Sequence, residues 1–303
     1  MAKTPPKKSA PARGRPAGLF TWIAVGLVVV VVAALVIIKA TSSSPAQQSS
    51  AGFTPVDATT LSNLTQIPAS VFNTVGVTSP VVPVTAPQAI SGQPLLKETV
   101  NGKSLPEVYY LGSEYCPFCA AQRWSTIIAL SRFGTFSNLG ETSSSSVDSY
   151  ANTPSFTFVN AKYSSKYVAF SSIEQFNNVY NATTQFYAPL QTPTKAEAAL
   201  EKKYDNTNFI KGITSAEDNS IPFLTFGDQY LTSGASYSPA ALGGLTRTQI
   251  ASALSDPTNP VTEAIVASAN YQTAVICTLT QQQPSNVCAS AGVKAADKVL
   301  KVS

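Results

Sequence analysis

The chain has 303 residues, 44% of them hydrophobic and only 12% charged, enough for a sizeable core in one domain of roughly 200–250 residues or two smaller ones. It contains no histidine, which excludes histidine-based metal sites, catalytic triads and histidine general bases. The net charge of +4 comes from one end: Lys3, Lys7, Lys8, Arg13, Arg15 and Lys39 precede the first acid, Asp57, leaving 14 of the 20 basic residues against 16 acidic ones, so no nucleic-acid partner is expected.

Residues 1–16 are a Lys-, Arg-, Pro- and Ala-rich tail without an acid, expected to be disordered. Residues 17–38 are an apolar run broken only by Gly18, Thr21 and Gly26. At about 1.5 Å per residue, such a helix spans a hydrocarbon core of about 30 Å. Trp22 suits the membrane interface, and the cations before the run predict a cytoplasmic N-terminus. A cleaved signal peptide is the competing reading, but the run exceeds the usual apolar core of about 7–15 residues, and Lys39 follows it directly. Either way the body is exported. The expected organisation is therefore a cytoplasmic tail (1–16), a single-pass transmembrane anchor (17–38), a Ser/Ala/Gln/Pro tether (39–52) and an extracytoplasmic domain (53–303).

Within the domain, Ile67-Pro68 through Val75 predicts a short helix stopped by Gly76. Residues 81–84 and 94–100 read as strands, with Asn101-Gly102 a turn. Val108 to Leu111 read as a strand buried on both faces. After Gly112-Ser113, a helix starts at Cys116 with Pro117 in its first turn and runs to about Phe133, with Trp124, Ile127 and Ile128 on one apolar face. Ser143 to Ser146 read as a surface loop, and 156–159 and 167–170 as further strands. Thr192-Pro193 predicts a helix to Tyr204. Ile221 to Phe226 and Gln229 to Leu231 read as a hairpin. Thr246 to Gln249 resembles a capping box for a helix to Leu254. Asn259-Pro260 starts a longer helix, with Ile265, Ala269, Ile276 and Leu279 on one face and Cys277 near its end. The order of elements predicts an α/β domain, a mixed sheet with helices on both faces. Asn63-Leu-Thr65 and Asn181-Ala-Thr183 match the glycosylation triplet, a weak signal.

The chemistry lies in Cys116-Pro117-Phe118-Cys119. A helix N-terminus presents free N–H groups and the positive end of its dipole, which favour a thiolate at Cys116. The thiolate is the species that attacks a disulfide. Cys119, one turn later, is placed to resolve the mixed disulfide. Tyr115, Phe118 and Trp124 supply an apolar rim for a peptide substrate. A zinc site lacks two further ligands, so no metal or other cofactor is expected; a structural bridge at this pair is the remaining rival. For Cys277 and Cys288, eleven positions apart, a structural disulfide is favoured over a relay, worth roughly 2.5–3 kcal/mol in the chain-entropy model. An even cysteine count fits an oxidising compartment.

The stretch Glu107 to Trp124, with Ile221-Pro222 about a hundred residues later, resembles the thioredoxin superfamily, and Cys-Pro-Phe-Cys resembles the glutaredoxin and DsbA-like motifs. The resemblance implies a thioredoxin-like sheet, a cis Pro222 facing the cysteines, an Ile221 backbone that pairs with bound peptide, and a DsbA-like helical insertion at about 135–215. Four motifs point more narrowly: Cys116 to Trp124, Ala129-Leu-Ser-Arg-Phe-Gly134, Thr153-Pro-Ser-Phe-Thr-Phe158, and Ile276-Cys-Thr-Leu-Thr280 with Pro284 to Cys288. With them the chain resembles a prokaryotic family of membrane-tethered proteins catalogued as domain of unknown function 929. One departure stands out. The superfamily's buried acid, six positions before the first cysteine, is here Tyr110. Glu114 is expected to oppose the helix dipole by like-charge repulsion.

The expected function is a membrane-tethered thiol–disulfide oxidoreductase with Cys116 as nucleophile. Its expected partners are exported cysteine-containing proteins and a membrane disulfide oxidase or reductant. The alternative is a non-catalytic binding or envelope-assembly module with two structural disulfides.

Overall fold

The computed structural model describes residues 52–301. The expected tail (1–16), anchor (17–38) and nearly all of the tether lie outside them. Among the described residues no helix is long and apolar enough to cross a membrane.

Helix α1 (Ala58–Thr65) is capped by Asp57, whose carboxylate accepts the Thr60 N–H at 2.9 Å. Helix α2 (Ala69–Val75) follows Pro68 and stops at Gly76, as its sequence predicts. Strand β1 (Gln88–Ala89) precedes the hairpin of β2 (Lys97–Val100) and β3 (Lys103–Gly112). Asn101 and Gly102 both take positive φ at its turn, the backbone that matches strand twist in a two-residue hairpin. Residues 81–84, expected as a strand, form none.

Helix α3 (Pro117–Ser131) leaves the end of β3. The next segment corrects the expectation of a helical insertion at 135–215. Strands β4 (Gly134–Ser137) and β7 (Lys162–Ser165) pair, as do β5 (Gly140–Ser143) and β6 (Pro154–Thr157). Strand β8 (Ala169–Glu174) joins the main sheet. Strands β9 (Phe176–Asn181) and β10 (Phe186–Pro189) form a third two-stranded unit. The composition explains the difference: the segment is rich in Thr, Phe, Tyr and Val, which favour strands. Asn138, Asn152 and Asn160 punctuate it at positive φ, a conformation asparagine tolerates. Helix α4 (Lys195–Tyr204) is the one α-helix among the described residues of this span, and its cap is Thr194 with Glu197 in a capping box rather than Thr192-Pro193. The expected surface loop at 143–146 is also corrected, because Ser143, Ser144 and Ser145 are buried.

Strands β11 (Phe223–Phe226) and β12 (Tyr230–Ser233) form the predicted hairpin. Helix α5 (Arg247–Ala253) begins with the capping box of Thr246 and Gln249. Helix α6 (Pro260–Leu279), short α7 (Ser285–Cys288) and α8 (Ala291–Leu300) complete the chain.

The main sheet is mixed. Strand β3 runs antiparallel to β11 and parallel to β8, with Leu111 opposite Phe223 and Gly112 opposite Glu174. Strands β12 and β1 extend it beyond β11, and β2 pairs with the first half of β3. Side chains of β3 alternate between two cores, as the two-residue period of a strand requires. Val108 and Tyr110 join the large core with α3 and α6, while Tyr109 and Leu111 join a smaller one with Tyr204 and Ile210. Helix α6 is buried nearly all round rather than on the single predicted face. Its polar residues are satisfied internally: Gln272 donates to Ser125 Oγ at 2.9 Å and accepts from Thr126 at 3.0 Å.

Candidate functional site

Strand β3 delivers the chain to Ser113-Glu114-Tyr115, and Cys116 becomes the N-cap of α3. Its sulfur accepts the Cys119 N–H at 3.2 Å, the role an oxygen plays in an ordinary cap. Pro117 follows at the first helical position, where no N–H is needed. The Cys116 N–H donates to the Ser113 carbonyl at 3.3 Å, closing the turn. Across the site, the Cys116 thiol lies 3.7 Å from the Ile221 carbonyl oxygen. The Ile221–Pro222 peptide is cis, and Gly234 N–H holds the Pro222 carbonyl at 2.8 Å. Cys116, Cys119, Ile221 and Pro222 therefore meet, although more than a hundred residues separate the pairs.

The two sulfurs are inequivalent. Both cysteines are free. The Cys119 thiol, the Cys119 and Phe118 N–H groups and the Arg123 charge hold Cys116 below the usual thiol range, against the cost of its burial. Burial pushes Cys119 well above that range, and donation toward Cys116 adds to the effect. Glu114 is not among the main groups that set the Cys116 thiol. Its side chain lines a separate cavity of about 240 Å³ with Glu141, Asn177 and Asn178.

A model of the family described as Domain of unknown function (DUF929) matches residues 90–278. The chain belongs to that family. No curated protein and no solved structure matches it. In this DUF929 chain the matched span begins just after β1 and ends one residue past Cys277, and so includes the whole cysteine centre and the Ile221–Pro222 loop.

The expected rim residues differ in their surroundings. Phe118 is 40% exposed and meets Tyr150 edge-on at 5.8 Å. Tyr115 stacks on Tyr187 of β10 at 4.3 Å, beside Phe176 and Phe186. Trp124 belongs to the core instead: it is fully buried, with its indole N–H on the Pro154 carbonyl at 2.9 Å. Cys277 and Cys288 form a disulfide that joins the end of α6 to α7.

Two residues beside the centre escaped the reading of the sequence. Arg123 and Glu174 are fully buried and paired, with both contacts at 2.7 Å. A signal for the first was present: Arg123 is the only charge between Glu114 and Arg132, and a lone charge on an apolar helix is seldom buried without a partner. Nothing local singled out Glu174. Tyr110 points into the large core and its hydroxyl has no hydrogen-bond partner among the described residues. Burial pushes it well above the ordinary phenol range, so it keeps its proton. Among the described residues no cluster of three or more Cys, Asp or Glu is arranged to hold a metal.

Proposed function

We propose that this protein is an extracytoplasmic, membrane-tethered thiol–disulfide oxidoreductase on a thioredoxin-like scaffold, acting on cysteines of exported proteins. The observation that carries the reading is the free Cys116 sulfur at a helix N-cap, 3.7 Å from the Ile221 carbonyl beside a cis proline. The strand order supports the scaffold: a parallel β3–α3–β8 unit, then the antiparallel hairpin β11–β12, then α6. The apolar run at 17–38 supports the tether.

In the reducing direction, the Cys116 thiolate attacks one sulfur of a substrate disulfide. A mixed disulfide forms and one substrate thiolate leaves, to be protonated. Cys119 then gives up its proton and attacks the Cys116 sulfur, releasing the second substrate thiolate. Protein dithiol and substrate disulfide become protein disulfide and substrate dithiol, and the reverse sequence oxidises the substrate. The Ile221 edge would align the substrate backbone. The asymmetry of the two thiols suits the order, since the attacking sulfur must ionise first. The electron partner, a membrane oxidase or reductant, sets the direction.

The test is trapping. Cys119→Ser removes the resolving thiol, so mixed disulfides between Cys116 and exported proteins should accumulate in cells and disappear on reduction. Their absence, with Cys116 open to alkylation, overturns the reading. The rival binding-module reading draws on the burial of Cys116, only 5% exposed. It predicts a Cys116–Cys119 bridge that resists dithiothreitol until the protein unfolds.

A further inference from the structure

Arg123 lies four residues beyond Cys119 and seven beyond Cys116, so all three fall along one side of α3. Its guanidinium makes a fork. Nε and Nη2 bind the two oxygens of Glu174 at the end of β8, and Nη2 also donates to the Ser113 carbonyl at 2.8 Å. That carbonyl is the one that accepts the Cys116 N–H. The fork thus ties the cysteine turn to the parallel strand beside it. The third nitrogen, Nη1, is buried with no hydrogen-bond partner among the described residues, and the guanidinium carbon lies 5.9 Å from the centre of the Tyr110 ring. A buried ion pair with an unmet donor is poor stabilisation, because well-packed apolar residues usually do as well or better. Its place beside the turn calls for another explanation.

Resting on the exchange chemistry above, we propose that Arg123 and Glu174 are the positioning pair of the cysteine centre: Arg123 fixes the Ser113–Cys116 turn and its charge favours the Cys116 thiolate, while Glu174 limits how much of that charge reaches the sulfur. The sign of each contribution agrees. Arg123 favours the charged form of both cysteines, and Glu174 disfavours it at Cys119. The other titratable groups facing the centre are Tyr110 on β3 and Tyr115 on the turn. Burial raises both, so they stay neutral while Cys116 ionises. Glu114 lies toward Glu174 and carries the same sign.

The experiment follows alkylation of Cys116 by iodoacetamide against pH, in the reduced full-length protein, with the modified peptide read by mass spectrometry. Arg123→Met/Glu174→Leu replaces the pair with apolar side chains; the midpoint should rise by about one pH unit, the low end of the effect of a nearby charge. Glu174→Gln removes only the carboxylate; the midpoint should fall. Glu174→Asp should return it toward the wild-type value. A purely structural pair would change the melting temperature and leave the midpoints together. The proposal is overturned if the folded double variant keeps the wild-type midpoint, or if Glu174→Gln moves it upward. Should the double variant not fold, the direction of the Glu174→Gln shift decides alone. Equilibration with glutathione separates this from the function itself. If neither the wild type nor any variant exchanges with glutathione, the exchange reading falls, and the alkylation midpoints still decide the role of the pair.

Discussion

Cys116 owes its character to contacts with neighbours both near and distant in sequence. The cap from Cys119 N–H and the turn from Ser113 were legible, because helix starts and proline positions are local. The Ile221 contact was legible only through resemblance, since nothing in a single chain announces which strand a cysteine will face. Tyr110 is the instructive residue here. It occupies the position where an acid was looked for, yet its hydroxyl is buried and unpartnered, while its ring meets Phe158 edge-on at 5.0 Å. A buried unsatisfied hydroxyl is destabilising. Tyr110→Phe should therefore keep the ring contact and raise stability by about 1 kcal/mol in a denaturant titration, with the Cys116 alkylation midpoint unchanged. A loss of stability would mean that the hydroxyl has a partner after all. Gly112 explains why the hydroxyl fits, since a side chain at Gly112 would collide with it.

At the scale of elements, the long-period signals were the readable ones. The strand at 108–111, the helix after Cys116, the hairpin at 221–231 and the helix from Pro260 all appear close to where their patterns put them. Between Gly134 and Pro189 only β6 and β8 were foreshadowed, by the readings at 156–159 and 167–170; the other strands were not, because runs of four to six residues bounded by turns carry too few alternations to distinguish them from loop. Nor was the all-round burial of α6 legible: nothing local in the sequence marks polar Asn270 and Gln272 as buried. Asn270 donates to the Phe72 and Gly76 carbonyls at 2.9 and 2.7 Å, so it locks α6 to the end of α2. Helix α8 closes the same corner through Gly292, where a Cβ would strike the Phe72 carbonyl oxygen and come within 2.8 Å of Asn270 Nδ2. Backbone cannot yield as a side chain does, so Gly292→Ala should cost about 1–3 kcal/mol, the range for overpacking. Cys277→Ser opens the neighbouring bridge, whose partners are eleven residues apart, and should cost roughly 2.5–3 kcal/mol. Both variants, followed by thermal melting, should still trap substrate through Cys116 in the Cys119→Ser background. Loss of trapping by folded Cys277→Ser protein would instead make that disulfide part of the electron path.

The whole molecule carries one further consequence of burying acids in a body with few charges. Asp205, at the end of α4, is fully buried, and the Ser233 side chain and the Ser220 backbone beside its carboxyl only partly offset the cost of that burial. Burial pushes its carboxyl up to about 7, and the like charges of Glu201 and Asp218 add to the rise. In the unfolded chain it would titrate near 3.8. Between those values the folded protein holds a proton that the unfolded chain has released, so the folded state is progressively disfavoured as pH rises from about 4 to about 7. Below that window both states are protonated and the contribution is fully present; above it both are ionised and the loss is complete. Glu107, Glu201 and Asp228 are raised by burial in the same direction, so the absolute pH profile belongs to several groups at once. The difference between wild type and Asp205→Asn isolates one of them, because asparagine mimics the protonated acid at every pH. Unfolding midpoints in urea should coincide near pH 4 and diverge through pH 7, with the asparagine variant more stable at pH 8. Parallel profiles would mean that Asp205 is ionised and paired in the folded protein.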